Sequence, residues 1–502
     1  MKTVIFIALI FVTVSAHFNL LCSQNCSATH TGKPPLLDLG TNYFRGFQGG
    51  LYPNGSNLRP PSHNSAGIEI AKQIVPLDTN GNYDPVNGKI VFASVGMSNC
   101  NLEFAKFMLL LSGSQFINPY IVLVNAAQGG YDINLMLDTG NIYWDLVKQK
   151  LSWKGVTDKQ VQVIWFKNVE LGPTDTTFPG YPQSLKSKQS AVMNILNNKF
   201  PNLKSCYIAN RIYAGYAVSN GNREPFAYYS GWSAKWMIED QINGSSNLIY
   251  RGANKNSPWL SWGPYLWADG TNQNIEGLKW NCPVDYLSDG THPSDTGSVK
   301  VAQKLLNFFT TDETARPWFY KSISLDLSLA FEGMLDVMSN TMSIKDTVIV
   351  NLKNNYPPYN TVDSDKGTID SVSLTGNFKF YNAPNGNYYI QVIHRNGIET
   401  WSRSGGEVLN QGSFKNYDFT FSAVRAFGNN LLLKGNKYCI FSGDTDHDGV
   451  IDISDLASVE NDAAVFLSGY VNSDLTGDGL VDVSDSQTAE NNASNFIAKI
   501  TP

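Results

Sequence analysis

Lys89-Ile-Val-Phe-Ala-Ser-Val95 runs directly into Gly96-Met97-Ser98-Asn99, and a helical pattern takes over at Asn101–Leu111. The alternation recurs downstream. Apolar, strand-like runs stand at Tyr120–Ala126, Val161–Phe166 and Cys206–Tyr213, with helical patterns at Asn141–Leu151, Leu185–Asn198 and Ala227–Asn243. A last helical pattern over Thr296–Phe309 carries Val299, Val301, Ala302, Leu305 and Leu306 at helical spacing. Short β-branched runs alternating with helices predict a parallel sheet covered on both faces, an α/β three-layer domain. Ligands of such sheets sit beyond the carboxyl ends of the strands, so chemistry is expected in the residues just after each strand.

Acyl transfer needs a nucleophile, a base, a group that orients the base and donors for the oxyanion. Of six histidines, His17 and His30 lie near the amino terminus, and His394 and His447 lie beyond the α/β pattern. His63 and His292 remain. His292 sits in Asp289-Gly-Thr-His292-Pro-Ser, immediately before the last helix. A carboxylate three residues upstream on a glycine-containing loop can reach Nδ1 and leave Nε2 facing the cleft. Such a pair can also be only a helix-start hydrogen bond. Ser98, on the turn after the first strand, has its hydroxyl at the cleft and near a helix N-terminus, where negative charge is favoured. A serine there can equally be only a helix cap. The second strand ends in Asn125-Ala-Ala-Gln-Gly129-Gly130-Tyr-Asp132 and the third in Ile164-Trp-Phe-Lys-Asn168. Glycine lets a backbone N–H approach a substrate, and Asn168 brings a side-chain amide to the same edge.

Serine after strand one, glycine after two, asparagine after three and Asp-x-x-His before the last helix resemble four blocks of the SGNH (GDSL-like) hydrolase superfamily. The resemblance covers roughly residues 88–309 and implies a flavodoxin-like fold and a serine esterase. Ser98 is then the nucleophile, His292 the base and Asp289 its orienter. The Ser98 N–H, Gly130 and Asn168 form the oxyanion hole. Two departures stand out: Gly96-Met97-Ser98 replaces the usual Gly-Asp-Ser, and Phe166-Lys167-Asn168-Val169 replaces Gly-x-Asn-Asp. Asn210, in Ala209-Asn210-Arg211, is the fallback donor.

Substrate contacts are read as His63, in an N-terminal loop region, and Trp262 and Trp267. The two tryptophans belong to an aromatic cluster with Trp259, Tyr265 and Trp280 before the Asp-x-x-His loop. Rings there could stack on a sugar or an acyl group, or could be core.

After about Pro317 the texture changes to alternating strands at Asp346–Leu352, Ser371–Tyr381, Tyr388–His394, Tyr417–Ala423 and Asn430–Leu433, separated by Gly, Asn and Pro turns. That predicts a small antiparallel β-sandwich, a spacer, adhesion or carbohydrate-binding module. From Gly443 a 30-residue repeat follows. Its halves offer oxygens at loop positions 1, 3, 5, 9 and 12: Asp444, Asp446, Asp448, Asp452 and Asp455, then Asp474, Thr476, Asp478, Asp482 and Asp485. The carbonyls of Val450 and Leu480 add position 7, and Gly449 and Gly479 allow the sharp turn. Six or seven oxygens suit Ca²⁺, so two structural sites are expected. Asp at position 12 and no good helix before the first loop make the unit similar to a dockerin, a small α unit. That resemblance implies a cohesin-like protein partner, although the unit can equally be only a calcium-stapled end cap.

The 502 residues therefore divide into a signal peptide (1–22), a hydrolase-like domain (30–315), a β-sandwich (318–440) and a dockerin-like repeat (441–502). Lys2, the apolar run Val4–Val14 and Ser15-Ala16 form the export signal, so the protein is expected outside the cell or at its surface. A net charge of −6 argues against a nucleic-acid partner. No later stretch is long and apolar enough to span a bilayer. Six scattered cysteines without CxxC spacing argue against zinc. Cys100 could be disulfide-bonded near the nucleophile or be a buried thiol. The expected activity is hydrolysis of an acylated carbohydrate or small ester. The alternative is a surface glycan-binding or complex-assembly protein that keeps the hydrolase fold without catalysis.

Overall fold

The computed structural model of the chain describes residues 24–218 and 223–502. The expected export signal and Cys22 fall outside the described residues. A helix α1 (Pro61–Lys72), opened by Pro61 at its first position, precedes the sheet. Five strands then follow: β1 (Ile90–Gly96), β2 (Ile121–Asn125), β3 (Val161–Lys167), β4 (Ser205–Ile208) and β5 (Trp259–Trp262). They lie in the order β2-β1-β3-β4-β5 and every pairing is parallel. All seven residues of β1 and of β3 are buried, because helices cover both faces. Strand order reverses between β1 and β3, and the crevice at such a switch point opens at the carboxyl ends. Ser98 comes two residues after β1.

The covering helices are α2 (Ser98–Leu110), α3 (Ile142–Trp153), α4 (Gly180–Lys199), α5 (Phe226–Ile242) and α6 (Asp295–Thr311). Helix α2 begins three residues earlier than its apolar pattern. Met97 is extended (φ −102°, ψ −162°), so the turn after β1 is very short, and the polar residues Ser98, Asn99 and Asn101 already lie in the helix. Asn99 and Cys100 are nevertheless buried.

Strands β6 (Ile323–Ser328), β7 (Asp346–Asn354), β8 (Thr361–Ile369), β9 (Thr375–Phe380), β10 (Gly386–His394), β11 (Thr400–Trp401), β12 (Glu407–Leu409) and β13 (Phe414–Asp418) build two further sheets. One runs β8-β7-β10-β11 with β12 also on β10, and the other β9-β6-β13. Val348, Val350 and Leu352 of β7 share one core with Leu325 and Leu327 of β6 and with Phe378 and Phe380 of β9. The sheets are not purely antiparallel, as the alternating pattern had predicted: β13 runs parallel to β6. Polar β8 (Thr-Val-Asp-Ser-Asp-Lys-Gly-Thr-Ile) pairs through its backbone along β7, which no side-chain pattern announces.

This unit packs at the amino ends of the parallel sheet. The Phe414 ring lies 6.1 Å from Tyr83 and 5.9 Å from Tyr120, the residue just before β2. Lys379 Nζ donates to the Pro317 carbonyl at 2.8 Å, and Lys72 of α1 pairs with Asp365 at 3.3 Å. The last unit holds α7 (Ile453–Ala464) and α8 (Val483–Ala493), packed over the buried side chains of Val459, Leu475, Val481 and Ala489. Among the described residues no helix is long and apolar enough to cross a membrane.

Candidate active site

Three side chains read from the sequence meet at the carboxyl edge of the sheet. His292 Nε2 lies 2.8 Å from Ser98 Oγ, and His292 Nδ1 hydrogen-bonds Asp289 Oδ2. The loop makes this geometry local. Asp289 Oδ1 accepts the N–H groups of Thr291 (2.9 Å) and His292 (3.0 Å), which fixes the carboxylate independently of the imidazole. Gly290 has φ +65°, and a Cβ there would fall 2.0 Å from the Tyr216 carbonyl oxygen, so only glycine fits. Burial works to raise the Asp289 carboxyl, but the bonds from the His292 side chain and the two N–H groups outweigh it. It stays below the ordinary carboxylate range. An ionised Asp289 holds the proton on Nδ1 and leaves Nε2 free to accept the Ser98 hydroxyl proton.

Ser98 is the first residue of α2, so its N–H is one of the helix's orphan donors and its Oγ sits at the positive end of the helix dipole. Asn99 Nδ2 donates to the Thr291 carbonyl at 3.2 Å, tying the Ser98 turn to the histidine loop. The loop after β2 comes close on the other side: Gln128 N–H donates to the Gly96 carbonyl (2.9 Å), and Asn101 Nδ2 to that of Ala127 (2.7 Å). A Cβ added at Gly129 would lie 3.7 Å from Ser98 Cβ, so Gly129 faces Ser98. Gly130 follows at φ +82° in open space.

Asn168 is placed differently from its expected role. It is buried, its Nδ2 donates to the Tyr131 carbonyl at 3.1 Å and touches Met136 Sδ, and its Oδ1 accepts the Val169 N–H. Its amide therefore fastens the β2 and β3 loops together. The fallback Asn210 is also buried, with Oδ1 accepting from Leu266 N–H and Nδ2 facing helix α5 near Gly231.

The three expected substrate contacts do not reach the triad. His63 lies on helix α1 rather than in a loop, 3% exposed, with Nε2 bonded to the Leu260 carbonyl and its ring stacked on Trp259. Trp262 is buried and donates to the Leu51 carbonyl; it lines a cavity of about 470 Å³ with Tyr52, Arg59, Tyr265 and Asp312. Trp267 is wholly buried and donates to Glu224 Oε1 at 2.8 Å. The aromatic cluster is core. Elsewhere on the carboxyl side, the loops after β3 and β4 line an open cavity of about 670 Å³ between Pro173, Thr174 and Phe226.

Two features below the site carry no sequence signal. Lys167, the last residue of β3, bonds both carboxylate oxygens of Glu103 at 2.7 Å in a fully buried pair. Glu103 lies in the second turn of α2, so the pair joins the helix that begins at Ser98 to the strand before Asn168. A disulfide, Cys26–Cys282, fastens the N-terminal segment to the stretch leading into Asp289. Cys100, Cys206 and Cys439 are free and buried.

The acidic repeat folds into two loops of unequal fitness for a cation. In the first, one carboxylate oxygen from each of Asp444, Asp446 and Asp455 lies within 4.8 Å of the others. Asp444 Oδ1 is buried without a hydrogen-bond partner, and burial pushes that carboxyl up to about 6. A buried oxygen without a donor, inside a carboxylate cluster, suits a hard divalent ion. In the second loop, Asp474 Oδ1 already accepts the Gly477 N–H (2.7 Å) and Oδ2 the Gly479 N–H (3.2 Å).

No protein-family model matches this sequence, and no curated protein matches it. Among solved structures, a Clostridium thermocellum family 3 carbohydrate esterase aligns at 13% identity and a TM-score of 0.28, over 45% of this chain and 97% of that one. An Arabidopsis thaliana protein aligns at 13% identity and 0.22, over 41% of this chain and 67% of that one. A C-terminal interface mutant of an Acetivibrio cellulolyticus type II cohesin–X-dockerin complex aligns at 11% and 0.23, over 35% and 99%. Similarity this low carries no argument about fold or activity.

Proposed function

We propose that the chain is a serine ester hydrolase of the SGNH kind, acting on acylated carbohydrate or a comparable small ester. The observation that carries this reading is the hydrogen-bonded series Ser98–His292–Asp289 at the carboxyl edge of a parallel sheet. His292 Nε2 takes the Ser98 hydroxyl proton as Oγ attacks the ester carbonyl. The oxyanion that forms is stabilised by the Ser98 N–H, and the backbone N–H groups of the neighbouring Gly129–Gly130 turn are the candidate further donors. His292 then returns the proton to the departing alcohol, leaving Ser98 acylated. A water deprotonated by His292 releases the acid and restores the serine. With Asn168 committed elsewhere, the oxyanion relies on backbone donors.

Hydrolysis of p-nitrophenyl acetate and of acetylated xylan by wild type and Ser98→Ala tests the reading. Turnover in wild type, reduced at least ~10³-fold in the variant, supports it. A folded wild type that hydrolyses neither ester but binds glycan saturably, unchanged by Ser98→Ala, overturns it in favour of a non-catalytic binding protein.

For the C-terminal repeat we propose a Ca²⁺ site at the first loop, held by Asp444, Asp446, Asp448, Asp455 and the Val450 carbonyl. The ion would supply the positive charge that lets a unit with so small an apolar core keep its carboxylates together. A protein partner of the cohesin kind is favoured by exposed apolar residues that recur at the repeat spacing: Ile453 with Val483, and Phe466 with Phe496. Capture of a cohesin that chelation abolishes would support that role.

A further inference from the structure

The two halves of the acidic repeat share spacing but not surroundings. The first loop has aspartate at position 3, Asp446; the second has Thr476, one negative charge fewer. The second loop also lies against the sandwich. Asn396 Nδ2 donates to the carbonyls of Asp474 (2.9 Å) and Asn472 (3.1 Å), and Ser343 Oγ donates to that of Thr476. Gly333 comes so close that a Cβ there would fall 2.2 Å from the Leu475 carbonyl oxygen.

Into this contact β10 delivers Arg395, one residue past its end. The side chain is 8% exposed. Nε donates to Asp346 Oδ2 at 3.0 Å, Nη1 to the Val471 carbonyl, and the guanidinium lies 4.6 Å above the Tyr470 ring. Its remaining nitrogen, Nη2, is buried without a hydrogen-bond partner and lies 3.9 Å from Asp474 Oδ2. Asp474 is position 1 of the loop, the ligand with which a cation site begins. The first loop has no guanidinium at the matching place. Lys499 crosses Gly449 there, but its ammonium is turned toward Glu399 at 3.7 Å.

We propose that Arg395 is the resident cation of the second loop, so that the chain binds one Ca²⁺ tightly rather than two. The second loop instead fastens the C-terminal unit to the sandwich as a guanidinium–carboxylate joint. The physical reason is charge. A divalent ion at Asp474 would lie beside a fixed guanidinium and would find both carboxylate oxygens already accepting backbone N–H groups. Site affinity follows ligand charge count and freedom, and here both are reduced. This inference rests on the proposed Ca²⁺ site at the first loop.

Calorimetric titration of Ca²⁺ into the chelator-stripped full chain tests it. Wild type should show one tight equivalent, and Arg395→Met a second site tightened ~tenfold or more. Should Arg395→Met fail to fold, two other variants decide the matter: Asp444→Asn should abolish the tight equivalent and Asp474→Asn should leave its affinity unchanged. Two tight equivalents in wild type, loss of the tight site in Asp474→Asn, or a folded Arg395→Met that gains nothing would each overturn the assignment. Absence of any tight binding in wild type would instead refute the first-loop site, and the inference with it.

Discussion

His292 Nε2 stands 2.8 Å from Ser98 Oγ although 194 residues separate them. Neither residue makes this distance alone. Ser98 is placed by a short turn between a buried strand and a helix, and His292 by a loop closed on its own aspartate. The contact exists because α2 and α6 pack side by side against the sheet.

Asp289 has a depressed pKa, so its charge contributes stability that is fully present above the ordinary carboxylate value of ~3.9 and is lost as pH falls through the lower folded value. The melting-temperature gap between wild type and Asp289→Asn should be present above pH ~5 and shrink in stronger acid. A gap that widens on acidification would contradict this. On esters, Asn in place of Asp289 should cost roughly 10²–10⁴ in kcat, because the imidazole loses the partner that fixes its tautomer.

Gly290→Ala should slow hydrolysis much more than it destabilises the chain. A methyl at φ +65°, meeting the Tyr216 carbonyl, must move the loop that carries His292. Strain of this kind costs on the order of 1–3 kcal/mol, whereas a displacement of about 1 Å at a reacting group can cost ~10²-fold in rate. Steady-state kinetics beside thermal melts would separate the two, and unchanged kcat would refute the placement.

Lys167→Met should be among the most damaging single changes, costing ~3–5 kcal/mol, because it leaves the Glu103 carboxylate buried and unpaired. The double variant Glu103→Leu/Lys167→Met should recover most of that loss. Denaturant unfolding of the single and double variants checks the coupling. Equal stability of the two would mean that the pair is not a closed unit.

Cys26→Ser removes a bridge that spans 256 residues of sequence. A loss of about 2–5 kcal/mol is expected, with a matching fall in wild-type melting temperature on adding a thiol reductant. Because Cys282 lies seven residues before Asp289, activity should fall below the temperature at which the chain unfolds. Insensitivity of the melt to reductant would argue against the bridge.

The Asp-x-x-His loop was legible because its geometry is local: a carboxylate and an imidazole three residues apart on a glycine-containing loop can close on themselves. Strand β1 was legible because seven successive buried residues leave an apolar run interrupted only by Ser94. The acidic loops were legible from spacing alone, since each draws its oxygens from twelve consecutive positions. The aromatic cluster misled for the same reason. Tryptophans before the Asp-x-x-His loop look alike in sequence whether they line a cleft or, as Trp262 and Trp267 do, fill the core. His63 and Asn168 misled because their roles depend on partners far along the chain, the Leu260 and Tyr131 carbonyls.

The sequence by itself therefore determined four of the five parallel strands and the helices between them, the turn that carries Ser98, the histidine loop and the two acidic loops, all from interactions within a dozen residues, while β5 was read only as part of an aromatic cluster. Only the tertiary structure decided which donors remain free for an oxyanion, that Glu103 and Lys167 form a buried pair, that β13 runs parallel to β6, and that Arg395 reaches one acidic loop and not the other. These depend on which surfaces meet once the chain has closed, where burial makes each unpaired polar group costly and so fixes partners that no local pattern records.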